Sequence, residues 1–255
     1  MDRHAVLTTF DAQLRNTVHR TAEGRYERVG PVVRCVSETP GDWSWIEWSD
    51  LDESNADQVI AEQLAYFGDR RLEWKYYSHD QPADLPARLR AAGLEQGVDE
   101  ALMIAEIAEL PDLPAPEGVE LVAVTDEAGI DLLIQVHDDV FGAGHDTLRA
   151  RLLNQLRTAP ETMTPILALA GDRPVCAARV DFHIGTEFAS LWGGGTLPDW
   201  RGRGIYRAMV GFRARLAAAR GYRYLRTDAL PTSEPILERL GFERLTTTVA
   251  FTRPA

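Results

Sequence analysis

The chain has 255 residues with near-average shares of hydrophobic residues, 45%, and charged residues, 26%, which excludes a disordered or collagen-like protein. Its 39 acidic and 27 basic residues give a net charge of −12, which argues against general nucleic-acid binding, because phosphate backbones attract basic surfaces. No apolar run reaches the roughly 18 residues of a membrane span, and the first residues lack the apolar core of a signal peptide. We therefore expect neither a nucleic-acid nor a membrane partner.

The first part of the chain has the mixed hydrophobic periods of an α/β protein. In chain order, the pattern predicts a helix over 11–23, strands over 32–37 and 43–48, a helix from 54 to about 67, a strand over 72–77, a helix over 85–92 and a strand over 101–107.

A proline-rich stretch follows. Pro111, Pro114 and Pro116 lie within 110–118, and proline both fixes φ and removes a hydrogen-bond donor. We predict a linker over 111–118 that separates a first domain, residues 1–110, from a second, residues 119–255.

The second part continues the alternation of strands and helices. The pattern predicts a strand over 119–124, helices over 126–141 and 147–157, strands over 166–170, 175–184 and 188–196, a glycine-containing loop, a helix over 206–220, a strand over 222–228, a helix over about 233–240 and a last strand over 244–252.

Two segments of the chain echo each other. Residues 72–95 and 225–243 both run from a strand through a proline-containing loop and a helix to a Gly-apolar-Glu sequence. Either the similarity is chance, since such units are common in α/β proteins, or the first part is a degenerate copy of the final half of the second.

The loop between the predicted strand 188–196 and helix 206–220 carries Gly202 and Gly204. Glycine lets backbone N–H groups approach a ligand closely, and those groups would sit at the positive end of a helix dipole. The stretch 200–226 also contains arginines and no acid. Together these features predict a ligand that carries phosphate. The alternative is an ordinary glycine turn.

The segment Arg201-Gly-Arg-Gly-Ile-Tyr206 resembles the pyrophosphate-binding motif of the GCN5-related N-acetyltransferases, in which Gln or Arg is followed by two variable residues, Gly, one variable residue, and Gly or Ala. Arg201 takes the first position and Gly204 the central one, while Tyr206 departs from the pattern. Residues 196–198 and 236–242 are similar to the flanking segments of the family, so the resemblance covers roughly 119–255.

The resemblance implies an α/β fold with a mixed central sheet flanked by helices, preceded here by a partial, degenerate copy of the same fold. It also implies an acyl-CoA-dependent transferase with acetyl-CoA as cosubstrate and an amine as acceptor. Backbone groups near Gly195 would pair with the pantetheine, and N–H groups of 201–206 would hold the pyrophosphate. The implied cofactor-binding residues are Gly195, Thr196, Leu197, Arg201, Gly202, Arg203, Gly204, Ile205, Tyr206 and Ser233, the last because the helix over 233–240 would flank the thioester.

Direct attack of an amine on a thioester needs one group to take a proton from the ammonium and one to protonate the leaving thiolate. Many family members have a tyrosine where this chain has Leu237, so Tyr206 is the nearest candidate acid by motif. Glu187 and Asp228 are candidate bases, although a turn acid and a loop or capping residue are the simpler interpretations.

The sequence leaves three functions open: acetyl-CoA-dependent N-acetylation of a small, cationic amine, a catalytically inactive CoA-binding protein, and acyl transfer to a different nucleophile such as a hydroxyl. The acidic stretch 43–69 favours an amine acceptor, and the first part would help to form its pocket. We predict no metal site, and we expect Cys35 and Cys176 to be buried thiols in a reducing cytoplasm. The last strand and the tryptophan-containing strand 43–48 both offer sheet edges, so a homodimer stays open.

Overall fold

Apolar residues recur with the periods of helices and strands, and the computed structural model, which describes residues 1–19, 24–39 and 41–254, forms both. The helices are α1 Arg3–Phe10, α2 Ala56–Phe67, α3 Leu85–Ala91, α4 Glu127–Phe141, α5 Asp146–Thr158, α6 Ile205–Ala219 and α7 Glu234–Arg239. The strands are β1 Arg25–Val29, β2 Val32–Val36, β3 Ser44–Ser49, β4 Leu72–Tyr77, β5 Glu95–Glu106, β6 Glu120–Ala123, β7 Met163–Ala170, β8 Arg173–Phe182, β9 Phe188–Thr196, β10 Tyr224–Ala229 and β11 Glu243–Arg253.

The first helix begins earlier than its pattern predicts. The Asp2 carboxylate accepts from the backbone N–H groups of His4 and Ala5 at 3.1 and 3.2 Å, so it caps α1. A π-helical turn over Asp11–Arg15 continues it. The end of the predicted helix, at 20–23, lies outside the described residues.

The chain folds into two compact units, each made of separate segments. The first contains Met1–Met103, Asp228–Pro235 and Arg244–Ala255, and the second contains Ile104–Thr227 and Ile236–Glu243. None of the helices in the described ranges is long and apolar enough to cross a membrane.

The first unit is built on a mixed sheet with strand order β1-β2-β3-β4-β11-β5. Strands β1 to β3 are antiparallel, β3 is parallel to β4, and β4 is antiparallel to β11. Helices α2 and α3 contribute Ile60, Leu85 and Leu89 to a core that they share with Trp74 and Phe251 of the sheet. Hydrophobic burial therefore fixes these helices on the sheet.

A buried arginine anchors the N-terminal segment of this unit. The guanidinium of Arg15 is fully buried, lies 3.9 Å from the ring centre of Tyr77 and pairs with Asp80 at 2.8 Å. Its second carboxylate partner is Asp11, at 2.9 Å. Because two carboxylates and an aromatic face surround it, the buried charge is compensated.

The second unit is also built on a mixed sheet, with strand order β10-β9-β8-β7-β6. Strands β6 to β9 are antiparallel, and β9 is parallel to β10. Helix α4 packs Leu133 and Val136 against Met163 and Leu167 of β7 and Ala177 of β8.

The two echoing segments fold alike, because β4-α3-β5 and β10-α7-β11 are both strand, helix and strand. The last strand of the second segment, β11, lies in the first unit between β4 and β5. Its Val249 and Phe251 are buried in the core of that unit.

The expectation that β11 and the tryptophan-containing strand are sheet edges is wrong. In the described sheet β11 has β4 and β5 as neighbours, and β3 has β2 and β4. Both strands therefore have hydrogen-bonding partners on each side, and neither offers a free edge to a second chain.

We predict that a fragment of residues 112–255 aggregates. It keeps β11 but lacks β4 and β5, so both edges of that strand lose their partners and its buried Val249 and Phe251 become exposed, which costs about 3–6 kcal/mol for the two side chains. Size-exclusion chromatography of the refolded fragment checks this.

The matched control is a fragment of residues 104–243, which ends before the strand enters the first unit. We expect it to stay more soluble than 112–255. Equal, monomeric elution of both fragments would contradict the structural role of β11.

Candidate functional site

Strand β9 carries a β-bulge near its C-terminal end. Ala177 of β8 pairs with Gly195, but Arg179, two residues later, pairs with Trp192, so β9 has one extra residue in this interval. Gly193 lies inside the interval with φ of 59°, a left-handed conformation that favours glycine. The bulge therefore reorients the backbone at Gly193 and Gly194.

The parallel pairing of β9 ends before the bulge. Tyr224, Leu225 and Arg226 of β10 pair with residues 188–190, and the Thr227 hydroxyl donates to the Leu191 carbonyl at 2.9 Å. Within the described register, the segment from Trp192 to Thr196 has β8 as its partner and no β10 partner. The second edge of this segment can therefore hydrogen-bond to a ligand.

Three consecutive glycines let rings from two helices contact this strand. A Cβ on Gly193 would lie 2.7 Å from the His137 ring, and one on Gly195 would lie 2.9 Å from the Phe141 ring, both on α4. A Cβ on Gly194 would lie 2.8 Å from the Tyr206 ring on α6. Because successive strand residues face opposite sides, α4 and α6 cover opposite faces of β9.

The loop after β9 presents backbone donors. Gly202 and Gly204 have φ of 76° and 82°, and Gly204 forms the N-cap of α6. In the described chain, the N–H groups of residues 202–207 donate to no protein acceptor. Exposed arginines, Arg201, Arg203 and Arg207, surround them. A helix N-terminus of this kind binds phosphate and other anions.

Tyr206 turns inward from this loop. Its ring lies against Gly194, so the side chain does not cover the N–H groups although it replaces the small residue of the motif. Burial raises the pKa of Tyr206, and the nearby positive charge of Arg213 opposes that rise. The hydroxyl therefore stays protonated at neutral pH.

A buried arginine that the sequence analysis missed lies beneath the bulge. Arg213 is 1% exposed, and its Nε and Nη1 donate to the carbonyls of Met209 and Arg179 at 3.0 and 3.3 Å. Among the described residues it has no carboxylate partner, and burial lowers its pKa. An uncompensated buried cation favours an anion or an electron-rich group nearby.

Solved structures share this architecture. A GCN5-related N-acetyltransferase from Kribbella flavida superposes with a TM-score of 0.70 at 17% identity, over 100% of this chain and 96% of that one. A tandem GNAT protein from the clavulanic acid biosynthesis pathway matches 98% of this chain and 93% of its own, with a TM-score of 0.60 at 16% identity. A GCN5-related N-acetyltransferase from Sphaerobacter thermophilus gives 0.61 at 15% identity, over 88% and 76%.

The chain has the GCN5-related N-acetyltransferase fold. The predicted fold class, including a pseudo-repeat of the same fold, is thereby confirmed. No protein-family model and no curated protein sequence matches the chain.

Of the residues implied to bind a cofactor in this fold, the structure brings Gly195, Thr196 and the loop residues 201–206 together at one end of β9. The Leu197 N–H already donates to the Val175 carbonyl at 3.0 Å. The Thr196 hydroxyl donates to the Cys176 sulfur at 3.2 Å, and burial raises the pKa of that thiol to about 11. Cys176 and Cys35 are both buried thiols, as predicted.

The other predicted residues lie elsewhere. Glu187 precedes the opposite end of β9, about 20 Å from Gly193 at the usual rise of a strand, and pairs with Arg223 at 3.6 Å. Asp228 belongs to the first unit, where its buried carboxylate pairs with Lys75 at 3.0 Å. Ser233 lies in the same unit, and its hydroxyl donates to the Leu230 carbonyl at 3.1 Å.

In the part of the chain that the structure describes, no group of three His, Cys, Asp or Glu side chains is arranged to hold a metal ion. Asp181 pairs with Arg179 at 3.3 Å.

We predict that Gly193→Ala destabilises the protein more than Gly202→Ala. Both glycines have positive φ, which costs an alanine about 1–2 kcal/mol. Only at Gly193 would the new Cβ also meet a ring, that of His137, and this overpacking adds about 1–3 kcal/mol. Denaturant unfolding of the two variants measures the difference, and equal losses would show that the ring contact does not constrain the strand.

Proposed function

We propose that the chain is an acyl-CoA-dependent N-acyltransferase, and specifically that it transfers acetyl from acetyl-CoA to an amine by direct attack on the thioester. One observation carries the proposal. The partly unpaired segment of β9 leads along the chain to residues 202–207, whose N–H groups have no protein acceptors among the described residues.

The loop suits the pyrophosphate of CoA. Its N–H groups lie at the positive end of the α6 dipole, and the exposed Arg201, Arg203 and Arg207 add positive charge to a protein of net charge −12. Gly202 and Gly204 have open space where a side chain would point, so phosphate oxygens can reach the backbone.

The strand suits the pantetheine, which carries two amide groups. Between Trp192 and Thr196 the edge away from β8 has no β10 partner in the described register, so an extended amide chain can add to it as a strand would. This arrangement would carry the acyl group from the loop toward the bulge at Gly193 and Gly194.

We assign the proton donor of the reaction to Tyr206. Tyr206 lies beside the bulge with a protonated hydroxyl, which supports its role as the donor to the leaving thiolate. Of the two candidate bases of the sequence analysis, Glu187 is not assigned that role, because it lies about 20 Å from Gly193 at the usual rise of a strand. Asp228 is not assigned as the base either, because its carboxylate already pairs with Lys75 at 3.0 Å.

The acceptor in this proposal is a small amine, and the acidic stretch 43–69 together with the net charge of −12 favours a cationic one. The two buried thiols support a reducing compartment such as the cytoplasm.

A second candidate is a CoA-binding protein without catalysis. The residue at the position of the usual family tyrosine is Leu237, which is fully buried and cannot donate a proton. This candidate requires the same loop and strand to bind CoA but no turnover.

We predict that Gly204→Glu abolishes CoA binding in calorimetric titration, because a carboxylate would stand where phosphate is expected. The control is Gly171→Glu, which makes the same charge change at a positive φ of 60° with open space around it, in the turn between β7 and β8. Both variants carry similar backbone strain, so only a loop that binds phosphate separates them.

Binding that survives in Gly204→Glu, or no binding to folded wild type, would contradict the proposal. If CoA binds as expected, thiol release from acetyl-CoA with a panel of amines separates the enzyme from the non-catalytic candidate.

A further inference from the structure

A buried histidine contacts the bulge from the side opposite Tyr206. His137 on α4 is 6% exposed, and its Nε2 lies 3.0 Å from the Gly193 carbonyl oxygen. The ring packs against Phe141, with ring centres 5.1 Å apart, and the edge of His145 lies beside it, at 5.5 Å. The ring therefore has a fixed place against the strand.

The hydrogen bond fixes where the proton sits. Burial, with smaller contributions from Arg179 and His145, lowers the pKa of His137 to about 4, so the ring is neutral at physiological pH and carries one N–H. Because a carbonyl oxygen only accepts, that proton lies on Nε2 and donates to Gly193. The contact is thus a true donor bond to the backbone.

This bond orients a whole peptide unit. The Gly193 carbonyl and the Gly194 N–H belong to one planar group and point in opposite directions. Because the carbonyl points to His137 on α4, the trans peptide geometry directs the Gly194 N–H away from α4, which we take as the side of Tyr206 and Arg213. A peptide between two glycines rotates more easily than any other, so its orientation depends on an external contact.

The face to which this N–H points carries further donors. The Tyr206 ring and the Arg213 Nη2 would lie 2.8 and 3.7 Å from a Cβ on Gly194. Residues 202–207 span the end of the loop and the first turn of α6. A ligand held by their N–H groups and laid along the partly unpaired segment of β9 would therefore approach the bulge on this side.

We infer that His137 is a positioning residue, whose Nε2–H holds the Gly193 carbonyl and so aims the Gly194 N–H at the carbonyl oxygen of a bound acyl-CoA thioester. The inference rests on the proposed function. His137 touches neither the acyl group nor the acceptor, and it acts through the backbone of the bulge.

The test compares wild type with His137→Leu, which removes the donor, and His137→Gln, whose amide can place an N–H near the position of Nε2. His145→Leu is the matched control, because that ring packs beside His137 and does not bond Gly193. Calorimetry measures the affinities for CoA and acetyl-CoA, and infrared spectroscopy of acetyl-CoA labelled with ¹³C at the carbonyl reports the hydrogen bond to the thioester.

We expect His137→Leu to bind CoA within about twofold of wild type, to lose any extra affinity for acetyl-CoA, and to raise the thioester carbonyl frequency. With an accepted amine, kcat falls roughly 10- to 100-fold, the usual cost of a displaced contact, while the KM for acetyl-CoA changes little. His137→Gln restores most of each property, and His145→Leu keeps all of them. Should His137→Leu not fold, His137→Phe, which keeps a ring against Gly193, takes its place.

A carbonyl frequency that is the same in wild type and His137→Leu overturns the inference, as does an equal loss of CoA and acetyl-CoA affinity. The inference is also overturned if His137→Gln folds but shows the same acetyl-CoA affinity and carbonyl frequency as His137→Leu. Wild type that binds neither ligand overturns the proposed function first, and this role with it.

Discussion

Residues Gly193, Gly194 and Gly195 of β9 have no side chains, so rings from two helices can pack directly on the backbone of this strand. The rest of the site depends on this close packing. Rings from α4 and α6 occupy the space where three Cβ atoms would be, with separations to those ideal positions of 2.7 to 2.9 Å. Any substitution there displaces a ring or the strand. The strand is thereby clamped on both faces, while its edge away from β8 has no β10 partner in the described register.

The close packing on β9 also affects which of its backbone groups can bind a ligand. A sheet strand normally uses its backbone groups on both sides, whereas here the bulge turns one peptide out of the ladder and the end of β10 pairing frees an edge. The donors in this region, which include the loop N–H groups, Tyr206 and Arg213, share one electrostatic preference, for negative or electron-rich groups. A ligand with phosphates, amides and a polarised carbonyl would match these donors: the phosphates at the loop, the amides along the strand edge and the carbonyl at the bulge.

Much of the fold could be predicted from the sequence because the relevant signals are local. The hydrophobic periods predict most helices and strands, and Gly202 and Gly204 lie at a strand-to-helix turn with positive φ. Strand β5 begins well before the predicted one, since its first residues are exposed and, apart from Val98, carry no hydrophobic signal. The place of β11 in the first unit could not be predicted, because strand pairing over long sequence distances is set by the tertiary fold.

The candidate site could be predicted only in part. The glycine loop carries a motif, but His137 and Arg213 do not. Arg213 lies in an arginine-rich stretch that suggests a solvated face, and only the structure shows its guanidinium under the bulge. His137 lies on an amphipathic helix, and its role depends on a hydrogen bond to the Gly193 carbonyl, 56 positions away in sequence. The three glycines at 193–195 were the available signal, since consecutive glycines in a strand mark a bulge or a close approach.

The most direct test of the account is amide hydrogen exchange of the full chain with and without CoA. We predict that exchange slows at residues 202–207 and along 192–196, because the ligand would accept hydrogen bonds from the loop and from the partly unpaired strand segment. Protection confined to other parts of the chain, or no protection at saturating CoA, would contradict a CoA site built from this strand and this loop.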